Sequence, residues 1–377
     1  MTGPLTGIRI IEFAGLGPGP FAGMMLADHG AEVIRIDRPG AVNDSRDALA
    51  RNRRSIALDM KQPEGLAIAR ALCANADAII EGYRPGVMEK LGLGPDILLA
   101  DNPNLVYGRM TGWGQDGPYA QAAGHDINYI ALSGVLHTIG PKGEKPTVPM
   151  NYVGDFGGGG MMLAFGMVSA LLAVKAGTAK GQVIDCAMTD GSALIAAMIW
   201  SFHAMGRHAD VAGVNILDGG APFYDSYTCK DGKFIALGSI EPQFYALMRE
   251  KTGLADDPAF DAQWDAARWP ELKSKLAAII AQKTRDEWCA IMEMTDVCFA
   301  PILSLTEAPQ HPHNVARQTF VEVGGAIQPA PAPRYSVTIP ETPVAATTVG
   351  SDSDSLLEEL GYEAEQIAAL RANGAIA

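Results

Sequence analysis

The chain is short of what several function classes need. Only five cysteines occur, Cys73, Cys186, Cys229, Cys289 and Cys298, and no two form a C-x-x-C pair. Such scatter excludes a disulfide framework and a cysteine zinc site, and it suits a reducing, cytoplasmic compartment. Basic residues are outnumbered, 29 Lys and Arg against 43 Asp and Glu, for a net charge of −14. That balance argues against nucleic acid as a general partner. No run approaches the ~20 uninterrupted apolar residues of a membrane helix, so no membrane association is expected. The opening "MTGPLTGIRIIEF" has no basic region ahead of an apolar run, and "GAIA" is no peroxisomal address, so neither signal is expected. His311 and His313 stand close together in "QHPHN", but no acidic or cysteine partner lies beside them in sequence, so no metal is expected there.

What is present is enough for a large core. Of 377 residues, 48% are hydrophobic and 19% charged, a globular composition. The length suits two or three domains. The first half alternates between strand and helix periods. "IRIIEF" (8–13), "EVIRID" (32–37), "SIALDM" (55–60), "AIIEGY" (78–83), "LVYGRMTG" (105–112) and "QVIDCAM" (182–188) read as buried strands, with helical patterns between several of them. This order predicts an α/β fold with a mostly parallel sheet covered by helices. The glycine-rich loop "GDFGGGG" (154–160) precedes a long apolar helix.

From about residue 225 the texture changes. "SYTCKDGKFIALGSI" reads as a hairpin around Asp231-Gly232, followed by amphipathic helices and the strand "VCFAPIL". The resulting division is a large domain over 1–190, a linker over 191–224, a small α+β domain over 225–315 and a return segment over 316–377. Within the return segment, "AIQPAPAPRYSVTIPETPVA" reads as an extended linker, and Ser355 with Glu358 has capping-box spacing before the last helix.

"IRIIEFAGLGPGP…VIRID" mimics a dinucleotide fingerprint, with Asp37 near the ribose-binding position. Yet Pro18 and Pro20 each remove a backbone N–H that would face a pyrophosphate. Two readings stand: an NAD(P) oxidoreductase, with Arg38 suited to a ribose phosphate, or a tight crossover with no ligand. Arg38, Arg51, Arg53, Arg54, Lys61, Arg84 and Lys90 form a local basic cluster on an acidic chain. They are a solvated surface, or they receive an anionic small ligand at strand ends.

Three ionisable residues stand at element ends, where function concentrates. His125 follows a glycine in "AGHDINY", Asp155 sits between "NYVG" and four glycines, and Glu241 precedes Pro242. Each has a plain alternative: a structural histidine, a helix N-cap and a surface acid.

The segments "GPLTGIRIIEFAGLGPGPFAGMMLADHGAEVIRIDRPG", "RNRRSIALDMKQPEG", "EGYRPGVMEKLGLGP", "GHDINYIALSGVLHTIG", "GDFGGGGMM", "AKGQVIDCAMTDGSAL", "NILDGGAPFYDSY" and "IEPQFY" resemble, in order, the racemase branch of the family III CoA-transferase (CaiB/BaiF-like) superfamily. The resemblance implies interconversion of (2R)- and (2S)-2-methylacyl-CoA thioesters by movement of the α-proton, without a cofactor. It makes His125 and Asp155 the two bases on opposite faces of the α-carbon. Glu241 pairs with the histidine, and Asp126 supports the site from behind. It assigns CoA to Arg38, to Ala57, Leu58, Asp59, Met60 and Lys61, to Arg84, to Lys90 and to the loop holding Gly124, Ile127, Asn128 and Tyr129. Lys90 stands where some relatives have arginine, which keeps the charge and loses the bidentate fork. The implied architecture is an interlocked homodimer. Each chain has a Rossmann-like large domain, completed by the C-terminal segment, and active sites are shared between subunits.

The chemistry agrees with the residue types. Racemisation needs one group to take a proton and another to return it on the far face. A neutral imidazole and a carboxyl held protonated in an apolar pocket meet that need. The enolate requires a donor, for which the glycine-rich helix start after Asp155 is the expected place. Met161, Met162, Met167, Met188 and Met198 are either core or an adaptable surface for an acyl chain. The rival within the superfamily is a CoA-transferase, in which the matching aspartate attacks the thioester.

Overall fold

The computed structural model describes residues 2–377. Two compact units emerge. One takes in the chain up to Ser133, Met150–Ile195 and His313–Ala377; the other takes in Gly134–Pro149 and Ala196–Pro312.

The first unit opens with β1 (Arg9–Phe13), α1 (Pro18–Asp28), β2 (Glu32–Asp37), β3 (Arg53–Ala57), α2 (Pro63–Ala74) and β4 (Ala78–Glu81). It continues through α3 (Val87–Lys90), α4 (Pro95–Asp101), β5 (Val106–Thr111) and α5 (Asp126–Leu132). A π-helix (Tyr152–Met161) then runs directly into α6 (Met162–Lys175), followed by β6 (Val183–Ala187) and α7 (Met188–Ile195). The strands form one sheet in the order β3-β2-β1-β4-β5-β6, and every neighbouring pair is parallel. All six strands fall within one to three residues of the apolar runs that predict them. Parallel strands are covered on both faces, so they read as nearly continuous apolar runs.

Successive residues of one strand feed two cores. Ile11, Ile34, Ile56 and Ile79 pack with α2 on one face. Ile10, Val33, Ala78 and Ile80 pack with α1 and α6 on the other. The glycine run does not form the expected loop. It is helical, so Tyr152–Lys175 is one 24-residue helix of mean hydropathy 1.7, long and apolar enough to cross a membrane. That departs from the expectation that no such run exists. Here the helix supplies Leu163, Ala164, Met167, Ala170 and Leu171 to the core on its side of the sheet.

The second unit contains α8 (Ala197–Ala204), β7 (Tyr224–Thr228), β8 (Phe234–Gly238), α9 (Pro242–Thr252), α10 (Trp269–Ile280), α11 (Arg285–Met292) and β9 (Phe299–Ile302). Its three strands are antiparallel in the order β7-β8-β9. The hairpin turn has Gly232 at φ +75°, as an Asp-Gly turn requires. The long amphipathic stretch breaks at Thr284, which caps α11: its hydroxyl accepts the Glu287 N–H at 3.2 Å, and the Glu287 carboxylate accepts the Thr284 N–H at 2.7 Å.

The chain then forms α12 (Pro312–Ala316), β10 (Phe320–Val323), β11 (Ala326–Pro329), α13 (Ser353–Glu359) and α14 (Ala364–Ala372). The expected linker therefore starts as a strand, because β10 and β11 pair antiparallel. Gln328 in β11 is buried and accepts from Arg51 at 3.1 Å, so this hairpin belongs to a buried polar network. Ser355 and Glu358 lie inside α13 and form no cap. Asp352 precedes that helix, and Ser355 donates back to the Asp352 carbonyl. The capping box is one helix later: the Gln366 side chain accepts the Glu363 N–H at 2.8 Å. Leu356, Leu357, Ile367 and Leu370 of these helices join the core beside Ile56 and Leu58.

Candidate active site

The strand order reverses between β1 and β4. In open parallel sheets ligands bind at such a point, outside the carboxyl ends of the strands. A cleft of about 650 Å³ opens there. Its walls come from the turn after β1 (Leu16, Gly17), the turn after β4 (Tyr83, Arg84), the end of β5 (Trp113), the start of α5 (Gly124, His125, Asn128, Tyr129) and Asp155. His125 and Asp155 therefore reach one cleft from two different helices.

His125 is the N-cap residue of α5. Its backbone N–H donates to Asn128 Oδ1 at 3.0 Å, and its carbonyl accepts the Asn128 N–H at 2.8 Å. Its side chain is exposed. Asp126, the next residue, is buried and turns the other way. Its Oδ1 accepts the backbone N–H of Asp155 at 2.7 Å, and its Oδ2 has no hydrogen-bond partner among the described residues. Asp126 thus holds the π-helix at Asp155. Gly154 has to be glycine here, since a Cβ would stand 2.5 Å from Asp126 Oδ1.

Asp155 lies inside the π-helix, in its first turn. Burial pushes its carboxyl above the ordinary value; the Asn151 hydrogen bond opposes this, the Asp126 charge adds to it and His125 opposes it. Asn151 Nδ2 donates to Asp155 Oδ2 at 3.2 Å. Gly17, at φ +68°, brings the turn after β1 close enough that a Cβ would sit 3.3 Å from the same oxygen. The carboxyl is thus half-buried at the edge of the cleft, with Gly17 and Asn151 close beside it.

The glycine run does not provide the expected oxyanion donors. The Asp155 N–H is taken by Asp126, and Phe156 N–H bonds the Asn151 carbonyl. The glycines instead serve packing. A Cβ on Gly158 would stand 2.6 Å from Ser192 N, on Gly159 2.8 Å from Met188, and on Gly160 2.7 Å from Phe21. Open donors lie at α5. The amides of Asp126 and Ile127 precede its first intrahelical bond, so they need partners from outside the helix.

The predicted basic and backbone contacts follow the carboxyl edge of the sheet. Ala57 ends β3 and residues 58–61 follow it, Arg38 follows β2, Arg84 follows β4 and Gly124–Tyr129 follow β5. Of these, Arg84, Gly124, His125, Asn128 and Tyr129 line the cleft, and Arg38, Ala57–Lys61, Lys90 and Ile127 do not. Ala57 and Leu58 are fully buried. Lys90 ends α3 and is exposed.

Asp37 is unfit for a ribose. It is buried, accepts from Ser55 Oγ at 2.7 Å and pairs with Arg35 at 3.0 Å. That removes the acid the dinucleotide reading needed. The methionines divide: Met167 is core, Met188 is buried and lines the cleft, and Met161 and Met198 are half exposed.

Glu241 belongs to the second unit, where it stands at the N-terminal boundary of α9 with no side-chain capping bond and is exposed. His311, in the same unit, lies 2.8 Å from the Glu293 carboxylate, an acidic partner 18 residues away that local sequence did not show. Sequence reasoning also missed Asn151, Trp113 and Tyr83. Tyr83 lines the cleft, packs edge-on against Phe13 at 6.4 Å and has the Arg38 guanidinium beside its hydroxyl. Its signal was its place in "EGYRPG", directly after a strand.

Residues 5–350 match the family model for CoA-transferase family III. The chain belongs to that family. The α-methylacyl-CoA racemase of Mus musculus is 47% identical over 372 residues, covering 98% of this chain and 96% of the relative. The α-methylacyl-CoA racemase of Homo sapiens is 45% identical over 366 residues, covering 96% and 95%. A crystal structure of a CAIB/BAIF family protein from Brucella suis matches with a TM-score of 0.83 at 24% identity, covering 96% of this chain and all of that one, which bears on the fold.

Proposed function

We propose that this protein interconverts (2R)- and (2S)-2-methylacyl-CoA thioesters by two-base proton transfer through an enolate, with no added cofactor. The observation that carries the reading is His125 and Asp155 on one cleft in a chain 45–47% identical, nearly end to end, to two α-methylacyl-CoA racemases. His125 takes the α-proton on one face. Asp155, its carboxyl favoured in the protonated form, returns a proton on the other. In the reverse direction the roles exchange.

The CoA moiety runs along the carboxyl edge of the sheet. Ala57–Lys61, Arg38 and Lys90 receive its nucleotide and phosphates, and Arg84 with the Gly124–Tyr129 loop receives the arm that leads to the thioester. Ala57 and Leu58 are buried, so only their backbone is available to a ligand. Met188 and the half-exposed Met161 offer the acyl chain an adaptable surface.

The working form is a homodimer in which the partner's Glu241 stabilises the imidazole. An uncovered apolar stripe on α6 supports a second copy: Phe165 is 73% exposed and Leu172 68%. Five free cysteines suit a reducing, cytoplasmic compartment.

The deciding experiment incubates an optically pure 2-methylacyl-CoA with the protein in D2O. Deuterium should enter the α-position as configuration scrambles. CoA transfer to an added carboxylic acid without α-exchange would replace this reading with a transferase.

A further inference from the structure

We infer that Tyr129 sets where the His125 imidazole stands, a positioning role distinct from contact with CoA. It rests on the two-base reading above. Tyr129 lies one helical turn after His125 on α5, with its ring buried. Its hydroxyl donates to the carbonyl of Gly124, the residue just before the histidine. The ring fills a slot cut to its shape. A Cβ on Gly112 would stand 2.1 Å from it, and a Cβ on Gly124 2.8 Å. Trp113 closes the slot edge-to-face, with centroids 4.8 Å apart and an interplanar angle of 85°.

The backbone entering α5 is therefore pinned on both sides of the imidazole. Asn128 takes the His125 N–H and gives its own to the His125 carbonyl. Tyr129 takes up the Gly124 carbonyl and anchors that end to Gly112 and Trp113 at the end of β5. The Tyr129 phenol is pushed up by burial and by the charges of Asp155 and Asp126, so it remains a donor across the working pH range. His125 itself is exposed, so its placement depends on this backbone clamp rather than on packing around the ring. Proton transfer to a carbon acid is steeply sensitive to such placement.

Tyr129→Phe tests this, because it removes one hydrogen bond and leaves the ring in its slot. Racemisation kcat should fall on the order of tenfold or more in both directions, with KM for the thioester unchanged. A second readout needs no turnover. In the substrate-free protein, the His125 imidazole resonance, assigned with His125→Ala, should shift and titrate with a different midpoint, while other histidines stay in place. Gly112→Ala, which crowds the ring from the opposite side, should give the same pattern. An unchanged kcat together with an unchanged His125 titration overturns the inference. A raised KM with kcat intact also overturns it, since Tyr129 would then only bind CoA. Should the wild-type protein show no α-exchange, the proposed function falls, and the imidazole titration still decides whether Tyr129 places His125.

Discussion

Asp155 is the residue at which local environment and chemistry meet most directly. Burial favours its protonated form, which is the form that returns a proton to an enolate. A carboxyl with a raised folded-state pKa adds stability below its unfolded value and loses it as pH rises through the folded one. Asp155→Asn should therefore raise the melting temperature at about pH 8, with the gain shrinking as pH falls toward the ordinary carboxylate value of about 4. Thermal scans at the two pH values check this, and an equal gain at both would refute the burial argument. The same variant should lose racemisation. Asp126 offers a second test. Asp126→Asn keeps an acceptor for the Asp155 N–H and should retain the fold, whereas Asp126→Ala leaves that amide unpaired and should cost about 1–3 kcal/mol in denaturant melts. This partnership was not legible in the sequence. Asp126 stands next to His125, yet its carboxylate serves an amide 29 residues later, because the first turn of α5 directs neighbouring side chains apart. Spacing revealed that His125 and Asp155 end elements, but not which of them Asp126 supports.

Six strands were legible because burial on both sheet faces leaves a plain apolar signature, and "GDFGGGG" was not, because glycine favours loops in the absence of packing. Tertiary contact reverses that preference. Packing against α1 and α7 is so close that side chains are excluded, and the helix forms with Asp155 on its first turn. Gly158→Ala should therefore destabilise by about 1–3 kcal/mol or more and also lower turnover by displacing Asp155, since its Cβ would meet backbone at Ser192. Gly166→Ala is the comparison on the same continuous helix. Its nearest neighbour would be the Ile184 side chain at 3.3 Å, which can yield, so its cost should be small. Urea midpoints for the pair, with activity, separate close packing from general dislike of alanine. Equal midpoints would mean that the glycine run is not required for packing.

At the scale of the whole molecule, α6 carries a contradiction that a single chain does not resolve. Read as sequence, it is apolar on every side, and such a helix is buried on every side. Yet Phe165, Val168 and Leu172 of α6, with Met161 just before it, are spaced three and four apart and exposed in one chain. Composition could report that the stripe is apolar, but not what covers it. A second copy is the occupant the proposed dimer supplies, and Phe165→Glu tests it. In an isolated chain Phe165 is 73% exposed, so the substitution should scarcely change the stability of the fold. In a dimer it forfeits about 1.5–3 kcal/mol of burial per copy and adds the cost of covering a charge. Light scattering after gel filtration should show the wild type at twice the chain mass and the variant shifted toward a single chain. If the proposed shared site holds, racemisation should fall in step, because Glu241 would be lost with the partner. A wild-type protein of single-chain mass would remove the dimer, and with it the account of how Glu241 reaches the histidine. A variant that stays dimeric and fully active would place the interface elsewhere.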